Sequence, residues 1–208
     1  MYSISTPNLF PMYPMDLFST FRNPSNYASL QFQRVLKASG YCGQIRLYLS
    51  FAVTNNAMAI SEPVYKTFQP DILSHYERYI IYNPNFMRKM EFLSGNDFVT
   101  LSIFAHELGH HFYRHTDFVN PWDHPHDKEC LAEHYSGYVL AKLGAKPSDL
   151  EAAQRLSFMM RSSDTHPDSF NRINWIVRGW RDGVGVGNVA DCLPSIYARF
   201  MEELKRWD

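Results

Sequence analysis

Two histidines one helical turn apart constrain the fold of this chain more than any other feature of its sequence. His106 and His110 belong to an H-E-x-x-H pattern, within a segment whose apolar spacing predicts a helix from Phe98 to about His115. At 3.6 residues per turn, both side chains project from the same face of that helix. Seven of the nine histidines lie between residues 106 and 134. We therefore expect the fold to bury the apolar face of the helix, and the clustered histidines suggest a site on the opposite face.

The H-E-x-x-H pattern favours a metal site. Two imidazoles on one helix face can share a metal ion, whereas Glu107 lies beside them at a spacing unsuited to ligation. Glu107 can instead hold an attacking water, take its proton and deliver that proton to a leaving amine. An amphipathic helix with a merely titratable face is the alternative interpretation.

A catalytic zinc site needs a third protein ligand and one open position. A metzincin would continue the pattern as H-E-x-x-H-x-x-G-x-x-H, but Tyr113 and Thr116 stand at the glycine and third-histidine positions, which excludes that class. We therefore expect the third ligand from a second helix, predicted over residues 128–143, where Glu129 is the candidate. Glu133 lies one turn further along the same face and can accept a hydrogen bond from the far nitrogen of a ligating histidine.

Other assignments of these residues stay open. The third ligand could come from a neighbouring residue instead: Glu133, His126 or Asp127. Alternatively, Glu129 and Glu133 could simply solvate a helix face. We expect His111 and His115 to be exposed or packing residues rather than ligands.

The order of the elements favours an α+β fold in a single domain, residues 1–208. Alternating apolar residues between 44 and 83 predict a small, mostly antiparallel sheet beside the histidine helix, and the second half of the chain reads as helices. The predicted strands lie near 45–51, 57–61, 64–68 and 78–82. The predicted regions are an extended arm at 1–24, a helix and the sheet at 25–97, a zinc-binding helical core at 98–182 and a C-terminal helix at 189–208.

Composition excludes several classes of function. Twenty Lys and Arg against 21 Asp and Glu give a formal charge of -1, which argues against a nucleic-acid-binding surface. No stretch approaches 18 consecutive apolar residues, so we expect no membrane span. The N-terminus does not read as a secretory signal, and the three cysteines are spaced for neither a disulfide framework nor a metal knuckle. We therefore expect a cytoplasmic protein, with export by a signal-independent route left open.

Three segments of the chain resemble a known enzyme family. F-A-H-E-L-G-H-H, E-x-x-x-E-H-Y-S-G and T-H-P-D-S-F-N-R together resemble the gluzincin zinc metallopeptidases, most of all the branch of the CAAX prenyl proteases, the bacterial heat-shock membrane proteases and their small soluble relatives. The resemblance runs from about Phe98 to Trp180 and implies a zincin-like core with one catalytic Zn²⁺. The ligands that it implies are His106, His110 and Glu129. Ser136 and Gly137 match a family pair, while Glu133 stands where the family has an Asp that is one methylene shorter.

The resemblance implies two further site features. His166 and Pro167, with Arg172 six residues after the histidine, match a family element that faces the reacting carbonyl, where a cationic side chain would stabilise negative charge. The alternative is that His166 caps a helix and Arg172 makes a packing or surface contact. The family's edge strand beside the cleft corresponds to Ala57, Met58 and Ala59.

These observations predict a zinc-dependent endopeptidase that acts on a peptide or protein substrate. An extended substrate would pair with the strand near Met58 by β-augmentation. Two alternatives stay open. H-E-L-G-H followed by E-x-x-A-E is also similar to short bacterial regulatory metalloproteases that cleave one repressor, and the chain could instead be a zinc-stabilised binding or effector module without turnover.

Overall fold

The computed structural model describes residues 16–53, 57–67, 69–117, 124–150 and 168–185. Helices and one small sheet make up these ranges, which confirms the α+β class. The named elements are α1 (Asp16–Ser19), α2 (Asn26–Ser39), β1 (Arg46–Leu49), β2 (Ala57–Lys66), β3 (Gln69–Tyr82), α3 (Pro84–Ser94), α4 (Phe98–Phe112), α5 (Pro125–Lys142) and α6 (Ser169–Gly185). Among the described residues, none of the helices combines the length and apolar character that a membrane crossing needs.

The sheet is mixed, with β3 in the centre. β2 pairs with β3 in antiparallel fashion over a ladder that runs from Ala57 opposite Tyr82 to Lys66 opposite Gln69. β1 pairs with the other side of β3 in parallel, over four residue pairs only. The described sheet is therefore mostly antiparallel, with a short parallel pairing at β1. The alternating pattern of β1 carries no information about the direction of its neighbour.

The strands predicted at 57–61 and 64–68 are one continuous strand, β2, which forms an edge of the sheet. Its register is unbroken from Ala57 to Val64. The backbone N–H of Ala59 donates outside the ladder, to the carboxylate of Glu107. Pro63 lies four residues further on, so its nitrogen faces the same open edge. A proline in that position costs no ladder hydrogen bond, which is why an edge strand accepts it.

Local capping explains the helices on either side of the sheet. α2 begins after Ser25, whose side chain accepts the N–H of Ala28, and ends at Gly40 with a φ of 67°. α3 was not predicted from the sequence. The side chain of Asn83 accepts two N–H groups at its start, and Pro84 occupies the first helical turn. The Asn-Pro pair therefore ends β3 and also starts a helix.

The arm predicted at 1–24 is described from residue 16 onwards. Asp16–Ser19 forms a helical turn, so the expectation of an extended chain is wrong there. Leu17 and Phe21 pack against a cluster of buried residues from the sheet and the segment after β1, and Arg22 bridges to Leu49, as expected of a segment that covers a surface. α6 continues past residue 182, the predicted end of the helical core. His166 and the C-terminal helix predicted at 189–208 lie outside the described residues.

The described residues include two of the three cysteines. Cys42 is disulfide-bonded, whereas Cys130 is a free, partly buried thiol. One bonded cysteine does not make a disulfide framework, and the cytoplasmic compartment stays a prediction.

α5 and α6 cross with their backbones in contact. A Cβ atom added at Gly137 of α5 would lie 1.9 Å from the carbonyl oxygen of Ile176, and one added at Gly179 of α6 would lie 1.8 Å from that of His134. The ring of His134 also contacts Asp182, with Nε2 2.9 Å from Oδ2. The two glycines therefore set the separation of these helices, and with it the positions of the side chains between them.

We expect Gly137→Ala to destabilise the fold strongly. Overpacking costs about 1–3 kcal/mol and occasionally more, and here the obstructing atoms are backbone, so the whole helix has to move. The loss of unfolding free energy should lie at or above the upper end of that range in a urea titration. Gly185→Ala is the matched control, because a Cβ there meets no atom within 4 Å. Equal stability of the Gly137 variant and the wild type would contradict the close crossing.

Candidate metal centre

The site forms where α4 and α5 pack closely together. Gly109 lies at the contact, where an added Cβ would come within 3.1 Å of the Cα of Ala132. One turn before the histidines, the buried Oγ atoms of Ser102 and Ser136 lie 3.0 Å apart, and Ser136 Oγ donates to the Ser102 carbonyl at 3.0 Å. Small residues at the interface thus bring the histidine face of α4 within reach of carboxylates on α5.

Three side chains converge on one point in this interface. The Nε2 atoms of His106 and His110 are 3.2 Å apart, and they lie 3.3 and 3.5 Å from the two carboxylate oxygens of Glu129. Tetrahedral zinc ligands at bond lengths of about 2.0–2.1 Å are separated by about 3.3 Å. The donor types and their spacing therefore fit a zinc ion, and a fourth position would remain for water or substrate.

The other candidate ligands are placed differently. Glu133 directs Oε2 to the opposite nitrogen of His106, with 3.4 Å to Nδ1. His126 and Asp127, in the first turn of α5, do not belong to the group of potential ligands found in the described part of the chain. The sequence left several candidates open for the third ligand. The structure brings Glu129 to the Nε2 atoms of both histidines and Glu133 to the far side of the His106 ring.

Arg172 reaches the site through Glu133. Its Nε donates to Glu133 Oε1 at 2.7 Å, and a second guanidinium nitrogen donates to the same oxygen. Both side chains are buried. Burial alone would raise the pKa of the Glu133 carboxyl, but the charges of His106 and, after it, Arg172 lower it. Arg172, Glu133 and His106 therefore form a chain of polar contacts that leads to the convergence point. The sequence predicted Arg172 at the site but gave no sign of this contact.

The two central histidines have opposite electrostatic environments. Burial disfavours the charged form of both. At His106 the charge of Glu133 and hydrogen bonding to Glu129 and Glu133 outweigh burial and hold the pKa well above its usual value. At His110 burial dominates, and the charge of His106 adds to it, so the pKa lies well below its usual value. The carboxylates of the cluster therefore favour one positive charge, on His106, and a bound metal cation could supply that charge instead.

The side chain of Glu107, on α4, contacts the edge strand β2. The side chain is buried, and burial raises its pKa to about 7, although the charge of His106 and the Ala59 N–H partly oppose the rise. A carboxyl group with a pKa near neutrality can both accept and donate a proton. The predicted edge segment Ala57–Ala59 thus contacts the helix of the H-E-x-x-H pattern at the residue expected to be the base.

The two remaining histidines of α4 and its C-terminal turn differ from each other. His111 is a packing residue rather than an exposed one. Its Nε2 lies 2.9 Å from the Tyr79 carbonyl oxygen, and burial lowers its pKa to about 4. His115 is more than that, because its Nδ1 lies 3.1 Å from Nδ1 of His110. Sequence reasoning missed this contact. The one sequence signal for this contact is that His115 lies just beyond the end of α4, where a turn can bring its side chain back towards the helix.

Comparison of the chain with known protein families, with curated proteins and with solved structures finds no match. The resemblance to gluzincins therefore stays a prediction, and the geometry of the site is what supports a function.

Proposed function

We propose that this chain is a zinc-dependent endopeptidase with a zincin-like core. The observation that carries the proposal is the convergence of His106, His110 and Glu129, whose ligand atoms lie 3.2–3.5 Å apart. The buried carboxyl group of Glu107 follows His106 directly on α4. Two histidines and one glutamate can also hold a purely structural metal ion. The adjacent carboxyl group, unsuited by its spacing to ligation, favours hydrolysis over a purely structural ion.

Zinc bound by these residues would polarise a peptide carbonyl and make a water molecule more acidic. Glu107 would orient the attacking water and accept its proton, then donate the proton to the leaving amine as the peptide bond breaks. A carboxyl pKa near neutrality suits both transfers. Arg172 would act mainly by fixing Glu133 behind His106, while His166 is proposed, from the resemblance alone, to stabilise the negative charge on the carbonyl oxygen.

The substrate would bind in an extended conformation along β2. This strand is an edge of the sheet, and Ala59 directs its backbone towards Glu107. A peptide that adds to this edge gains main-chain hydrogen bonds at every second residue, with its scissile bond near the base. Recognition through the backbone predicts broad sequence tolerance rather than a single cleavage motif.

The test is metal-dependent cleavage of casein and of a mixed peptide library by the full chain. We expect cleavage that a zinc chelator abolishes and added zinc restores, with heat-denatured protein as the control. If the chain binds zinc but cleaves neither casein nor any peptide, the result would favour the zinc-stabilised binding module. Cleavage that continues in excess chelator would exclude a zinc mechanism.

A further inference from the structure

The turn that ends α4 returns a third imidazole to the metal centre. Arg114 adopts a left-handed conformation with a φ of 61°, although it is not a glycine. The N–H of His115 then donates to the carbonyl of His110 at 2.8 Å, as in a Schellman turn. The ring of His115 stacks on that of Tyr113, with centroids 5.6 Å apart and an interplanar angle of 18°. Backbone and stacking contacts therefore both fix the position of this ring.

The contact that His115 makes is with the nitrogen of His110 that faces away from the convergence point. The two Nδ1 atoms are 3.1 Å apart, while Nε2 of His110 faces Glu129. A histidine that ligates through Nε2 carries its proton on Nδ1 and needs an acceptor for it. In the described part of the chain, Nδ1 of His115 lies within hydrogen-bond distance of that proton, and a neutral His115 with its own proton on Nε2 presents this nitrogen as an acceptor.

We propose that His115 is a positioning residue for the metal site: its Nδ1 accepts the Nδ1–H of His110 and so holds that ligand in the tautomer and orientation that metal binding requires. The inference rests on the metal centre of the proposed function, not on its peptidase activity. It also makes the two ligands unequal, since His106 is supported by a carboxylate and His110 by a neutral ring. A carboxylate increases the basicity of its histidine more than a neutral acceptor does.

The test compares three variants of the full chain at residue 115. His115→Asn places a carbonyl oxygen close to the position of Nδ1, His115→Gln carries the same amide one bond further out, and His115→Ala removes the acceptor. The measurement is zinc affinity, by competition with a chromophoric chelator. We expect the Ala and Gln variants to bind zinc about 10- to 100-fold more weakly, the range for lost outer-shell partners, and the Asn variant to stay close to the wild type.

Folding is controlled by unfolding each metal-free variant in urea. A role in packing alone would alter stability and would not separate Asn from Gln in zinc affinity. The inference is overturned if the Ala and Gln variants bind zinc as tightly as the wild type, or if Asn is no better than Gln. If the wild type binds no zinc, the proposed metal site itself fails. If it binds zinc but cleaves no peptide, only the peptidase proposal fails, because the affinity measurement does not depend on turnover.

Discussion

Glu107→Gln should lower peptide cleavage by about 100- to 10,000-fold while zinc stays bound, because a positioned general base contributes a factor of that size. Glutamine has nearly the same shape, and its carbonyl oxygen can still accept the N–H of Ala59, so the fold and the edge-strand contact should persist. It cannot take a proton from water. The measurement is kcat/KM on a peptide, alongside zinc content per chain.

A matched control for this substitution lies on α3. Glu91 accepts a hydrogen bond from Thr100 and does not belong to the group of potential metal ligands found in the described residues. Glu91→Gln removes one carboxylate and keeps an acceptor, so cleavage should remain near that of the wild type. Unchanged turnover in the Glu107 variant would exclude Glu107 as the base. Loss of zinc from that variant would mean that the residue supports the metal rather than the chemistry.

Glu129→Gln and Glu133→Gln should separate metal binding from folding. The first removes a charged ligand atom, so zinc affinity should fall by more than the roughly 10- to 100-fold typical of an outer-shell partner. The second changes the carboxylate behind His106, so its effect on zinc affinity should stay within that range. The measurement is zinc competition for both variants, under identical conditions.

In the metal-free protein, the Glu133 variant should lose more unfolding free energy than the Glu129 variant. Glu133→Gln removes the carboxylate from the buried Arg172–Glu133 pair, and breaking a buried pair in this way costs about 3–5 kcal/mol of unfolding free energy. Glu129→Gln should change the stability of the metal-free protein much less. Urea unfolding in the presence of chelator measures both. If Glu133→Gln abolishes zinc binding and Glu129→Gln preserves it, the two glutamates have been assigned the wrong way round.

The parts of the site that lie within one or two helices could be predicted from the sequence. Residues four apart share a helix face, so His106 and His110 had to point the same way, and Glu129 and Glu133 likewise. The metzincin pattern was excluded by two identities, at Tyr113 and Thr116. A ligand from a second helix was then the natural expectation, and the structure brings Glu129 to the two histidines.

The remaining features depend on contacts between distant segments, which leave little local signal. The parallel pairing of β1 follows from which strand it meets, not from its own alternation. Pro63 resembles a strand break unless one knows that its nitrogen faces an open edge. The contact of Arg172 with Glu133 requires the crossing of α5 and α6, and His115 returns to the site only because Arg114 adopts an unusual backbone conformation.

The glycines at the helix contacts also bear on which substitutions the candidate site could tolerate. A Cβ atom at Gly137 or Gly179 would clash with the backbone of the neighbouring helix, and one at Gly109 would lie tightly against Ala132. Because each of these helices carries a side chain of the polar cluster, enlarging any of the three positions would shift groups whose contacts are 2.7–3.5 Å long. Substitutions are therefore more readily accepted at the exposed positions of β2, such as Glu62 and Lys66, than at these helix contacts.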